Sequence, residues 1–137
     1  MKTKSLIFLV LVLNSTFNSF AQSKATVYFI RSTGIYGTAV AFKAFIDRKL
    51  VCKLYNNELS IHQIDSGMHT FAVQFYGKNQ KVNAEQIEIN VQSGGTYYIE
   101  MVYQREFMYE NLFCQQITPE SAKRILIPKC SQKTRCL

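Results

Sequence analysis

Apolar and polar positions alternate with a period of two along most of the chain. Between Ser66 and Tyr76, His69, Phe71, Val73 and Phe75 alternate with Thr70, Ala72, Gln74 and Tyr76. That is the pattern of a strand with one buried face. Between Gly94 and Tyr103, Tyr97, Ile99, Met101 and Tyr103 alternate with Tyr98, Glu100, Val102 and Gln104. Val102 interrupts the polar side, so this strand reads as covered on both faces. Each stretch opens on a glycine turn, Asp65-Ser66-Gly67 and Ser93-Gly94-Gly95. The two make a natural central pair, with the remaining strands added around them.

The same period predicts strands at Ala25 to Arg31, Thr38 to Asp47, Leu50 to Tyr55, Leu59 to Ile64, Gln86 to Val91 and Phe107 to Ile117. Val40, Phe42, Ala44 and Ile46 form one core face; Ile87, Ile89 and Val91 form another. Turn chemistry separates the strands: the Gly34-Ile35-Tyr36-Gly37 loop, Asp47-Arg48-Lys49 and Asn56-Asn57-Glu58. A hairpin across Asp65-Ser66-Gly67 sets Ile61 opposite Phe71, Leu59 opposite Val73 and Gln63 opposite His69. In that register His62 faces solvent and His69 sits at the end of the core face. Thr118-Pro119-Glu120 reads as a helix start, with a short helix from Ser121 to Leu126 ending before Pro128. The expectation is an all-β chain: a single antiparallel β-sandwich of seven to eight strands over residues 22–117. A short helix and a basic, cysteine-containing tail follow over 118–137.

The N-terminus adds a location. Lys2 and Lys4 precede an unbroken apolar run from Leu6 to Leu13. A membrane-spanning helix needs about 20 apolar residues, so this run reads as a secretory signal peptide over 1–21. Ser19 and Ala21 place small residues for cleavage after Ala21. No cysteine follows the run to accept a lipid anchor. Losing Lys2 and Lys4 takes the formal charge from +7 to +5, with Lys123, Arg124, Lys129, Lys133 and Arg135 concentrated in the tail. Such a tail suits solubility first, and acidic partners such as lipid headgroups or acidic glycans second.

An exported, periplasmic or extracellular chain with four cysteines suits disulfides. Cys130–Cys136 closes a short loop in the tail and is the favoured bridge, leaving Cys52 and Cys114 as the second candidate pair. No zinc-ligand spacing occurs, and no metal or other cofactor is expected.

Four segments stand in a telling order: A-T-V-Y-F-I-R, A-F-I-D-R-K-L-V-C-K-L, S-G-M-H-T-F and V-Q-S-G-G-T-Y-Y-I-E. Together, over roughly Ala25 to Tyr103, they resemble the bacterial envelope family catalogued as domain of unknown function 2846. The resemblance implies a transthyretin- or immunoglobulin-like sandwich with no catalytic residues to carry over. Its motif positions fall on Arg31, Asp47, Gly67, His69, Gly95, Tyr97 and Tyr98. Arg48 stands where the family's hairpin has glycine.

The residues offer little catalysis. His69 beside a glycine turn reads as a structural side chain, and Asp65 as a turn residue. No nucleophile–base pair, nucleophile elbow, zinc-helix motif or phosphate loop occurs. Transthyretin-like hydrolases end in Tyr-Arg-Gly-Ser, whereas this chain ends Lys-Thr-Arg-Cys-Leu. The binding candidate is aromatic. Tyr103, Arg105, Phe107 and Tyr109 lie two apart and on one extended strand would form a stacking platform for a sugar or a protein hot spot. The basic residues carry no nucleic-acid reader motif. The leading expectation is a non-catalytic envelope module contacting glycan or protein. The alternative is a small hydrolase of transthyretin-like fold using His69.

Overall fold

The structure is a computed structural model describing residues 23–136 except Tyr36, Asn83 and the side chain of Ile125. The signal peptide expected over 1–21 lies outside the described residues. Nine strands form two sheets: β1 (Ala25–Arg31), β2 (Phe42–Ile46), β3 (Lys49–Leu54), β4 (Glu58–Ile64), β5 (Gly67–Gln74), β6 (Gln86–Val91), β7 (Thr96–Arg105), β8 (Glu110–Ile117) and β9 (Ser131–Gln132). One sheet runs β8-β7-β1-β4-β9 and the other β3-β2-β5-β6. Pairing is antiparallel except for β1 with β7 and β4 with β9, which are parallel. The count of nine strands and the two parallel pairs correct the expected antiparallel array of seven to eight.

The inner faces meet in one core. Val27 and Phe29 of β1 and Ile99 and Met101 of β7 pack toward Phe42, Ala44, Phe71 and Val73 from the other sheet. The alternation therefore identified the buried faces of β2, β5, β6 and β7. Partner choice came out differently. The β5 and β7 stretches, expected to pair with each other, lie in opposite sheets and face one another across the core. The expected β4–β5 hairpin is likewise absent. Asp65 and Ser66 carry the chain from one sheet to the other, and Ile61 stands opposite Tyr28 of β1.

The physical reason is a second apolar surface. Leu59 and Ile61 point away from the inter-sheet core, toward Ile30, Tyr28 and Tyr98 on the outer face of the five-stranded sheet. Ala122 and Leu126 from the C-terminal segment cover that face. β4 thus turns its aliphatic side outward and brings Ser60 and His62 inward, reversing the expected solvent position of His62. Tyr98 stacks on Tyr28 at 4.9 Å beneath the same cover, so β7 is buried on both faces at that point.

The C-terminal segment begins as expected. Thr118 caps α1 (Pro119–Ser121), its hydroxyl accepting from the Ser121 N–H at 3.2 Å. The chain continues as a wider coil over Ala122–Leu126, closed by the Ile127 N–H on the Ala122 carbonyl, and then as a tight turn over Ile127–Lys129 that contains Pro128. It therefore does not stop before Pro128. Beyond it the tail is pinned at two places. β9 pairs with the start of β4, and Cys136 bonds to Cys52. That bridge replaces the expected Cys130–Cys136 link, and Cys114 and Cys130 are free thiols. A short bridge within the tail would tie the tail only to itself. The observed bridge spans 84 residues and fastens the tail to β3. The loop-entropy model assigns a closure of that size about 4.5 kcal/mol. The bridge fits an oxidising, exported compartment, and no helix among the described residues is long and apolar enough to cross a membrane.

β2 and β3 are joined by the two-residue turn Asp47-Arg48, with φ of 49° and 66°. This is the primed hairpin turn, which favours Asp-Gly. Arg48 occupies the position that glycine fills without strain. Arg48→Gly is expected to stabilise the fold by about 1 kcal/mol, read as a shift in urea midpoint at constant m-value.

Candidate functional site

Strand directions divide the loops between two ends. β1, β3, β5 and β7 finish at one end; β2, β4, β6 and β8 begin there. The loops 32–41, 55–57, 75–85 and 106–109 therefore share an end, organised by Arg31.

Arg31 closes β1 on the inner face and is fully buried. Its Nη1 donates to the carbonyls of Val40 and Leu54 at 2.6 and 2.7 Å, and its Nη2 to Gly37 at 2.5 Å. The guanidinium carbon lies 3.4 Å from the centroid of the Phe42 ring. Burial lowers its pKa to about 10, partly offset by the field of Glu58, so it stays charged at neutral pH. Gly37 has φ of 67°, and a Cβ there would meet Phe42 at 3.2 Å. The loop 32–41 is thus folded down onto a cation. Neighbouring rings of Phe42, Phe75 and Tyr103 meet at 5.2 to 5.9 Å and close the core beneath the loops. Gln74 steadies loop 75–85 by donating to the Tyr76 and Asn79 carbonyls and accepting from the Lys81 N–H.

Above this plug large apolar side chains stand in solvent among polar ones. Among the described residues eight large hydrophobic side chains are exposed, and seven stand on these loops: Ile35, Tyr55, Tyr76, Val82, Phe107, Met108 and Tyr109. Only Met68 lies at the opposite end. The expected platform is redistributed here. Tyr103 belongs to the aromatic plug, and Arg105 ends β7, 3.7 Å from Glu110. Phe107 and Tyr109 sit on a hairpin tip closed by reciprocal backbone bonds between Glu106 and Tyr109. The four do not share one extended face, because β7 turns at 106–109 instead of running straight on. Tyr103 was a poor candidate for exposure: Ile99 and Met101 share its face.

The opposite end holds most of the motif positions. The Asp47 carboxylate accepts from the Thr70 N–H at 3.0 Å and lies 2.6 Å from His69 Nδ1. His69 Nε2 lies 2.9 Å from the Asp65 carbonyl. Burial pulls the His69 pKa down, but the bonds and charges of Asp47 and Asp65 outweigh it and the net shift is upward. Both ring nitrogens face acceptors, which favours the protonated ring relative to that of a free histidine and occupies both nitrogens. Gly67 has φ of 136° at the start of β5. Gly95 allows Tyr97 to fold back, its hydroxyl accepting from the Gln92 N–H at 2.8 Å; a Cβ on Gly95 would come within 2.8 Å of that ring. Arg31, Asp47, Gly67, His69, Gly95, Tyr97 and Tyr98 therefore all hold backbone or packing in place.

His62 lies at the mouth between β3 and β4, lining a cleft of about 350 Å³ with Ile46, Asp47, Val51 and Ile64. It shares a 2.9 Å hydrogen bond with Ser60 and packs edge-on to Phe29. Burial depresses its pKa. Ser60 is fully buried, so this pair is a satisfied polar contact rather than an exposed nucleophile. The free thiols are equally quiet. Burial, reinforced by Glu85, pushes the Cys114 pKa up to about 12, and burial raises that of Cys130. Among the described residues no three histidine, cysteine, aspartate or glutamate side chains gather as a metal site.

No protein-family model matches the chain, and no curated protein matches it.

Arg31→Met is expected to cost about 3 kcal/mol in urea unfolding, because one buried and two part-buried carbonyls lose their donor. The two histidines should act oppositely on stability. His69, with its raised pKa, contributes stability that is complete below the ordinary histidine value and is lost as pH rises through the raised value. His62, with its depressed pKa, contributes stability present above the ordinary value and lost as pH falls through the depressed one. His69→Gln should flatten the alkaline side of a stability–pH profile, and His62→Gln the acidic side, in urea melts across pH 5 to 9.

Proposed function

We propose that the chain is an exported, non-catalytic binding module of the bacterial cell envelope, with the Arg31 end as its contact surface. The observation that carries this reading is the segregation of exposed apolar side chains: seven of eight lie on loops at one end. Clustered exposed apolar groups mark interaction surfaces, whereas scattered ones need no explanation. The transthyretin- or immunoglobulin-like class and the family resemblance belong to the same proposal. The arrangement of His69 supports it over the hydrolase alternative, since Asp47 and Asp65 engage both ring nitrogens. A protein or a glycan of the envelope remains a partner class for this end, although the four-residue strand platform that would suit a flat sugar ring is not assembled.

The test is site-specific photo-crosslinking in intact bacteria. A crosslinker replacing Phe107 is expected to give adducts that one replacing Met68, at the opposite end, does not. Equal yields from the two positions, or adducts from Met68 alone, would remove the loop end as the contact surface.

A further inference from the structure

The Arg31 end carries two kinds of chemistry, the apolar tip between β7 and β8 at one edge and a basic notch toward β3 and β9 at the other. The first is a set of apolar tips. Phe107 is fully exposed, Met108 and Tyr109 nearly so, and Ile35, Tyr76 and Val82 stand on neighbouring loops. These groups are on separate protrusions rather than in one flat patch, so a rigid partner would need a matching hole for each. A deformable apolar medium needs none. Three of the exposed residues at this end are tyrosines, whose amphipathic rings favour the membrane–water boundary. The second feature is a cationic notch of about 160 Å³ lined by Ala41, Lys53, Tyr55, Lys133, Arg135 and Cys136. Three cations line it and no carboxylate does. Lys133 reaches Glu58 at 3.3 Å and lies 5.3 Å from the centre of the Tyr55 ring. The disulfide to Cys52 holds this basic piece of the tail against the end of β3. Lys78 and Lys81 add exposed positive charge beside Tyr76 and Val82.

We infer that this end docks on a lipid bilayer bearing anionic headgroups. Phe107 and Met108 enter the boundary between headgroups and acyl chains, and the notch of Lys53, Lys133 and Arg135 receives a headgroup phosphate. Apolar insertion with adjacent cations is the combination by which peripheral proteins hold an anionic membrane, since neither contribution alone gives stable attachment. The inference rests on the binding-module reading and names its partner. Of the acidic side chains at the neck of the tip, Glu110 is paired with Arg105, and Glu106 sets one negative charge against the exposed Lys78 and Lys81 and the cations of the notch.

The test is co-sedimentation of the chain, recovered after export, with vesicles of phosphatidylcholine alone or mixed with phosphatidylglycerol. Binding is expected to the mixed vesicles, several-fold weaker binding to the neutral ones, and loss of affinity as salt rises. Phe107→Ser with Met108→Ser should reduce binding at least about tenfold, with an unchanged circular dichroism spectrum because both side chains are in solvent. Lys53→Gln with Arg135→Gln should erase the preference for the anionic lipid. Met68→Ser, at the opposite end, should bind like the parent. Equal binding by the Phe107/Met108 variant overturns the proposal, as does failure to bind either vesicle. Binding of inorganic phosphate without vesicle binding, or sedimentation as a self-associated species without lipid, overturns it as well. A crosslink from position 107 to a protein, with no vesicle binding, would leave the module reading standing and remove the lipid.

Discussion

A buried guanidinium without a contacting carboxylate is the constraint around which one half of this protein is arranged. Taking a charge out of water costs several kcal/mol, and only well-placed acceptors offset it. Arg31 finds them in the backbone: three carbonyls from loop 32–41 and the end of β3, with the face of Phe42 beneath. Those carbonyls come from both sides of the β1-to-β2 crossing, so the cation ties the two sheets together where their strands end. The start of the same loop is held by Asn56, which accepts from the Thr33 N–H and donates to the Gly34 carbonyl. Its neighbours gain from the same arrangement, because the plug of Phe42, Phe75 and Tyr103 sits directly under the remaining loops. A firm base of this kind lets apolar side chains stand in solvent above it without drawing the loops inward.

The far end is held by a different device. Asp47 and His69 connect the β2–β3 hairpin to the crossing between sheets, and Gly95 with Tyr97 closes the turn before β7. These contacts engage both ring nitrogens of His69 and both carboxylate oxygens of Asp47. Most of the exposed large apolar side chains among the described residues stand at the other end.

Local pattern revealed the strands well because a half-buried strand writes its own alternation. β1 and β6 have the boundaries their residues suggest, and the inward faces of β2, β5 and β7 follow the apolar positions. Partner choice was hidden, since alternation states that a face is buried but not what buries it. Leu59 and Ile61 look like core residues, and they are, but of the smaller cluster beneath the C-terminal segment. Reading them as inter-sheet residues produced a hairpin that does not exist and turned His62 the wrong way. The platform failed for a related reason: Tyr103 and Phe107 match in period, yet a turn at 106–109 sends one inward and the other into solvent. Arg31 had a faint signal, an arginine at the inward position of an apolar strand just before a glycine-bounded loop. The disulfide had none, because contact between residues 84 apart depends on where the tail docks.

The bridge from Cys136 to Cys52 gives the basic tail a covalent hold on β3, in the sheet opposite the one that β9 joins. The tail therefore clasps both layers of the sandwich. With the sulfur bond opened, the two-residue β9 pairing and the contacts of Lys133 with Leu59 and Glu58 would have to keep it in place.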